Sequence, residues 1–279
     1  GSAIAGNLLK KGAAVTGYDI DARRMSELAA AGGTPAGSAS EVAGQAQILL
    51  TSLPSSAALA ATVSSVLQMP RAGLAIAELS TLPIEVKLEA RDRLAAAGVV
   101  LLDCPLSGTG AQAVTGDLAV YASGERAAYD CALPVFERFA RISHYLGAFG
   151  NGSKMKFIAN LLVAIHNVAS AEAMVLGMKA GLKPADVARV IASGAGTSRV
   201  FELRAPLMVK GDYAPTMKVD IWQKDMAVIA EYAASLGVTT PLFTASIPVY
   251  NAAQAEGHGG EDTAAVCAVL ERMAGLARR

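Results

Sequence analysis

Between Gly152 and Ala180 the sequence contains no proline, and small or straight-chain apolar residues dominate it. At 1.5 Å per residue a helix over this span is about 40 Å long. Such a helix outreaches one ordinary domain and is expected to be the spine between two. Before it, short apolar runs alternate with amphipathic ones; after it, every readable segment has helical period. Gly150 and Gly152 open the spine, and Ser153 is expected to cap it by accepting a backbone N–H bond. At roughly 100° per residue, Lys156, Asn160 and Asn167 fall within about 40° of one another on this helix, while Lys154 points nearly the opposite way. A lysine and two amides on one stripe of an apolar helix is where chemistry is expected.

The segment before the spine reads as alternating helix and strand. A helix over 1–9 ends at Lys10–Lys11–Gly12, and a strand over 14–18 closes with Asp19. A helix over 22–31 follows, then strands over 48–53 and 74–79, a helix over 84–97 and a strand over 99–104. Strands over 118–122 and 142–146 flank a helix over 126–139. Apolar strands alternating with helices imply an α/β fold with a parallel sheet covered on both faces. A strand–helix–strand unit whose second strand ends in an acid is the dinucleotide-binding pattern, with a glycine-rich turn about 20 residues before that acid. Here Asp19 is in place, but the turn falls at or before Gly1. The expectation is therefore a Rossmann-like domain over 1–149 that lacks its first strand, with Gly1 the last glycine of the turn. An all-helical domain over 150–279 is expected to follow, with a loop at 257–262 supplying an acidic cap for the last helix.

Composition narrows the function. Lysine plus arginine and aspartate plus glutamate each total 24, so no net field favours nucleic acid or an anionic membrane. Apolar residues make up 53% of the chain, enough for a sizeable core. The uninterrupted apolar stretches, 161–165 among them, are far short of the about 20 residues of a membrane span, and the first residues carry no signal-peptide pattern. Cys104, Cys131 and Cys267 are odd in number and far apart, which fits a reducing, cytoplasmic setting, and none is spaced for a metal. His144, His166 and His258 have no triad or metal partners at useful spacing, and His166 reads as a packed or interface residue.

Four ordered motifs carry a resemblance over nearly the whole chain. Gly1–Ser2–Ala3–Ile4–Ala5–Gly6–Asn7–Leu8 is similar to the tail of a G-x-G-x-M-G-x-x-x-A-x-N-L opening, with Gly6 where alanine is usual. Asp103–Cys104–Pro105–Leu106–Ser107–Gly108–Thr109–Gly110 is similar to D-x-P-x-S-G-G, with Thr109–Gly110 in place of the second glycine. Gly150-x-Gly152-x-x-x-Lys156-x-x-Ala159–Asn160 is similar to G-x-G-x-x-x-K-x-x-N-N, and Lys224–Asp225 to a later K-D pair. Together they resemble the β-hydroxyacid dehydrogenase family, which includes 3-hydroxyisobutyrate dehydrogenase and tartronate semialdehyde reductase.

The resemblance implies hydride transfer between NAD(P) and a small β-hydroxyacid, with Lys156 as general acid/base. A lysine in a partly apolar cleft can be tuned for that task, whereas Lys154 fits a solvated surface lysine. Ser107, Gly108, Asn160 and Lys224 are implied to bind substrate. The hydroxyl and free amides of the glycine-rich turn at 107–108 suit a carboxylate. Met217 replaces an aromatic of the family's substrate pocket. Gly1, Asp19, Leu53, Pro54 and Thr81 are implied to contact the cofactor. Asp19 favours NAD, because a carboxylate repels a 2′-phosphate; Arg23 and Arg24 keep NADP open. Ser80 and Thr81 can also cap the helix that starts near Pro83, and Cys104 reads as a small buried residue. The apolar helices of the second domain imply a homodimer or homotetramer. The alternatives are a non-catalytic or inactive dinucleotide-binding relative, or an imine reductase on the same fold, in which the lysine would typically be replaced.

Overall fold

The apolar runs of the first half form parallel strands whose register sets up the candidate site. In a computed structural model, which describes residues 1–277, β1 (Thr16–Gly17) pairs with β2 (Thr34–Pro35), and β3 (Ile48–Thr51), β4 (Ala75–Glu78) and β5 (Val100–Asp103) pair in that order, all parallel. A third ladder joins β6 (Leu106–Ser107), β7 (Ala119–Ala122) and β8 (Ile142–Tyr145), antiparallel then parallel. It is bridged to β5 at Asp103 and Ser123. Every residue of β4 is buried, as a strand covered on both faces requires.

Seven helices cover these ladders: α1 (Ser2–Lys10), α2 (Ala22–Ala30), α3 (Ala39–Gln45), α4 (Ser56–Val66), α5 (Ile84–Ala95), α6 (Gly110–Thr115) and α7 (Arg126–Phe136). Two apolar clusters result. One gathers Ile4, Leu8, Leu102, Val120, Phe136 and Phe139; the other gathers Leu49, Leu59, Val63, Ile76, Leu94 and Leu101. Leu101 and Leu102 point to different clusters, as alternation along a strand dictates. Only two residues of the strand expected over 14–18 are paired, and only with β2. Between β1 and β3 the sheet is interrupted by a cavity of about 1990 Å³, lined by Ile4, Leu8, Val15, Ile48, Leu50 and Val135 among others.

The spine is α8 (Asn151–Lys179), and α9 (Pro184–Ala192), α10 (Arg199–Lys210), α11 (Val219–Ser235), α12 (Pro241–Ala255) and α13 (Val266–Met273) complete the all-helical part. The acidic cap expected before the last helix is Asp262, which accepts the Ala264 N–H at a short 3-10 turn, Thr263–Ala265, that leads into α13. By length and composition α8 could cross a membrane, yet Ala164, Ala171 and Met174 along it are fully buried in protein.

The chain divides into two compact units, Gly1–Lys156 and Phe157–Arg279. The dividing point lies inside α8, a few residues beyond the 149/150 boundary read from the sequence. Side chains from strand ends hold the first turn of the helix, so that turn goes with the first unit.

Candidate active site

Register brings two carboxylates together. Glu78 ends β4 and Asp103 ends β5, and the two are direct partners across the ladder, both fully buried. Like charges opposed on adjacent strands repel, and burial makes each more costly. Lys87, three residues into α5 and also fully buried, answers both: its Nζ lies 2.6 Å from Glu78 Oε2 and 2.8 Å from Asp103 Oδ1. It also donates to the Ser80 carbonyl at 2.6 Å and to Asp103 Oδ1 at 2.8 Å, while Glu78 is held by the ion pair. Burial alone would lower the pKa of Lys87, but Glu78 and Asp103 outweigh it and hold the group above its ordinary value of 10.5. Next to it, burial pushes the Cys104 thiol well up, which fits a small inert core residue.

Two carboxylates on one ammonium leave one negative charge over. That charge meets the start of α8, where amides without intrahelical partners and the helix dipole favour an anion. The Ser153 N–H donates to Asp103 Oδ2 at 2.7 Å and its hydroxyl donates to Asp103 Oδ1 at 2.7 Å. The Gly152 N–H donates to Ser123 Oγ at 2.9 Å. Ser153 therefore does not cap α8 as expected from sequence: the helix begins at Asn151, and Ser153 donates to a strand-end carboxylate instead. The second glycine of the opening pair is required here. A Cβ on Gly152 would stand 2.2 Å from the Tyr121 carbonyl oxygen and 2.7 Å from that of Asp103.

One turn beyond this anchorage, Lys156 is buried with 7% of its surface exposed, while Lys154 is exposed and donates to Asn151 Oδ1. The stripe inferred from sequence is a buried face, since Asn160 and Asn167 are buried as well. Asn167 is engaged in packing: its Nδ2 donates to Tyr250 Oη and to the Thr263 carbonyl. Asn160 Nδ2 donates to Asp225 Oδ2 at 3.0 Å, and Lys224 Nζ lies 3.2 Å from Asp225 Oδ1. Asp225 thus holds both an amide and a half-buried lysine. Sequence reading noted it only as the neighbour of Lys224; its link to Asn160, 65 positions away, has no local signature.

Ser107 and Gly108 follow β5 through the short β6, Ser107 half-buried and Gly108 exposed at φ +134. The Thr109 side chain is committed to its own helix. It accepts the Gln112 N–H while Gln112 Oε1 accepts the Thr109 N–H, a capping box for α6.

Of the cofactor candidates, Gly1, Asp19, Leu53 and Pro54 line one cavity. Gly1 precedes α1, and Asp19 is exposed just beyond β1, its Oδ1 accepting the Asp21 N–H. An exposed, oriented carboxylate at this strand end fits ribose hydroxyls. The arginines that kept a phosphate open are engaged locally, Arg24 with Glu27 at 3.0 Å and Arg23 with Asp21 and Glu27 at 3.8 and 3.9 Å. The Leu53 N–H is taken by Ser80 Oγ at 2.7 Å, so Leu53 can meet a cofactor only through its other atoms. Thr81, half-buried, follows directly.

Comparison with known proteins decides the family. Residues 1–147 match the NAD binding domain of 6-phosphogluconate dehydrogenase, and residues 150–270 match the NAD-binding domain of NADP-dependent 3-hydroxyisobutyrate dehydrogenase. The chain is 35% identical to L-threonate dehydrogenase of Cupriavidus necator, over 97% of its own length and 92% of the relative. It belongs to the β-hydroxyacid dehydrogenase family. Its fold follows that of 3-hydroxyisobutyrate dehydrogenase from Salmonella typhimurium, at 32% identity and a TM-score of 0.87, over 96% of this chain and 95% of the other. A 2-(hydroxymethyl)glutarate dehydrogenase from Eubacterium barkeri is 28% identical over 99% of the chain and 93% of the relative. As a β-hydroxyacid dehydrogenase, the chain is an NAD(P)-dependent oxidoreductase acting on a small hydroxyacid, which favours the main reading over the non-catalytic and imine-reductase alternatives. In this β-hydroxyacid dehydrogenase the Glu78–Lys87–Asp103 cluster has no local sequence signature, since β4, α5 and β5 each supply one member, although Asp103 opens the D-x-P-x-S-G motif.

Proposed function

We propose that this enzyme oxidises a short, hydroxyl-rich β-hydroxyacid of the threonate type, with Lys156 as its acid/base. The observation that carries the catalytic role is the burial of Lys156 one turn beyond a helix start fixed by strand-end side chains. In the oxidising direction Lys156 Nζ takes the hydroxyl proton as the carbinol carbon loses hydride; in reduction it returns that proton to the developing alkoxide. The nicotinamide, when bound, is the hydride acceptor or donor. Ser107 and the glycine-rich backbone beside it are assigned to the carboxylate, and Asn160 and Lys224, both ordered by Asp225, to the hydroxyl-bearing end. The threonate reading is supported by the identity to L-threonate dehydrogenase and by the loss of the pocket aromatic at Met217.

For cofactor choice we propose NAD. Asp19 would hold the adenosine ribose, and Leu53, Pro54, Thr81 and Gly1 would line the remaining contacts. Exposed apolar side chains on the helical unit, such as Leu176 and Leu242, support a homodimer or homotetramer. Three unbridged cysteines support a reducing compartment such as the cytoplasm.

Lys156→Ala assayed against L-threonate and 3-hydroxyisobutyrate, following NADH absorbance, tests the assignment. Loss of an acid/base group typically lowers kcat by about 10²- to 10⁴-fold. Turnover within threefold of the parent would remove Lys156 from the mechanism, and equal rates with NADP would remove the NAD preference.

A further inference from the structure

We propose that Lys87, with Glu78 and Asp103, is a positioning device that sets Lys156 against the cofactor-side loops. The inference rests on the acid/base role given to Lys156. Each partner of this cluster leads to one of two places. Toward the cofactor side, Lys87 Nζ donates to the Ser80 carbonyl, the Ser80 N–H donates to Glu78 Oε1 at 3.0 Å, and Ser80 Oγ accepts the Leu53 N–H. One ammonium thereby ties together the loops that follow β3 and β4 and carry Leu53 and Thr81. Toward the helix, the same ammonium meets Asp103 Oδ1, which also accepts the Ser153 hydroxyl, while Asp103 Oδ2 accepts the Ser153 amide. Ser153 lies three residues before Lys156 and so on nearly the same side of α8. Ser123 closes the set from β7, donating to Asp103 Oδ2 at 3.3 Å and accepting the Gly152 N–H.

A buried ion cluster adds little stability over well-packed apolar residues of the same volume. Its value here is geometric, because one ammonium holds the Ser80 carbonyl and the Glu78 and Asp103 carboxylates at once. Hydride transfer needs reacting atoms within a few tenths of an ångström of their places, and a misplacement of about 1 Å can cost about 10²-fold in rate.

Lys87→Met would strand two buried carboxylates and lower stability along with activity, so the decisive variant is Ser153→Ala. It leaves the ion pairs of Lys87 and every backbone bond in place, removing only the hydroxyl tether between α8 and Asp103. The full chain is compared with this variant in kcat and KM, in the pH profile of kcat, and in hydrogen exchange of the amides at 151–156 without cofactor. Expected are a fall in kcat of about tenfold or more, a KM for NAD within twofold, a displaced Lys156 limb in the pH profile, and faster exchange confined to the first turn of α8. Unchanged kcat, pH profile and exchange, with only a lower Tm, would make the cluster purely structural and overturn the proposal. Lys156→Ala run alongside separates the failures. Activity surviving there overturns the acid/base role and the positioning role together; activity lost there but kept in Ser153→Ala overturns positioning alone.

Discussion

Each unit contains a buried knot of charge, and these two are built on opposite principles. In the helical unit Arg204 Nη1 lies 2.9 Å from Asp262 Oδ2, one guanidinium to one carboxylate. Asp262 also accepts the Thr216 hydroxyl and the backbone N–H groups of Thr216, Met217 and Ala264. That knot is neutral, redundant and local: it clasps the loop before α11 to the loop before α13. In the first unit, Glu78, Lys87 and Asp103 carry an unbalanced charge, and their contacts run outward to strand ends and a helix start. The comparison teaches that buried charge can close a loop or relay position, and that charge balance tells the two apart. A clasp tolerates the loss of one member; a relay does not.

The largest expected effect tests the relay. Lys87→Met leaves two buried carboxylates without their counter-ion, and removing one partner of a buried ion pair costs about 3–5 kcal/mol. Urea unfolding should show the loss, and a cost under about 1 kcal/mol would equate the two knots. The pH dependence has a definite sign. Because the folded state holds the Lys87 proton above the ordinary 10.5, its contribution is fully present below that pH and is lost as pH rises through the folded value. The parent should therefore lose stability on the alkaline side more steeply than Lys87→Met.

Glycines at the two knots sharpen the contrast. Gly152→Ala drives a methyl into two backbone oxygens that cannot turn aside, and should cost about 3 kcal/mol or more. Gly259→Ala, in the helical unit, meets only the exposed carboxylate of Asp220 at 2.3 Å. That side chain can swing away, so the cost should stay below about 1 kcal/mol. Thermal unfolding of the two variants in parallel checks the order. Smallest for a charge deletion, Arg204→Met should cost about 1–3 kcal/mol, since four donors remain on Asp262. A loss matching that of Lys87→Met would contradict the redundancy.

Features written into neighbouring residues were legible in the sequence. Strands β3, β4 and β5, the helical second half and the buried stripe of Lys156, Asn160 and Asn167 all follow from local period. Short or weakly patterned elements escaped. Helix α4 mixes four alanines and a leucine with three serines, a threonine and two valines, residues that favour caps or strands; it is settled by the Ser55 cap and by burial of Leu59, Val63 and Val66. α3 and α6 span two turns or fewer, too short for a period to register. The site divides likewise. Lys156, Ser107 and Lys224 sit in contiguous motifs, but the bonds that orient them, Ser153 to Asp103 and Asn160 to Asp225, join residues 50 and 65 positions apart. No local pattern encodes such a pair.

The anchored start of α8 has a further consequence, for how the helix comes into being. Starting a helix is the unfavourable step, because several residues must be ordered before the first bond repays them, whereas each later residue adds a bond cheaply. Asp103 and Ser123 precede α8 in the chain and hold the amides of Ser153 and Gly152. The strand ends thus template the first turn of a 29-residue helix, so that the rest can be wound onto a seed the nascent first unit has already made.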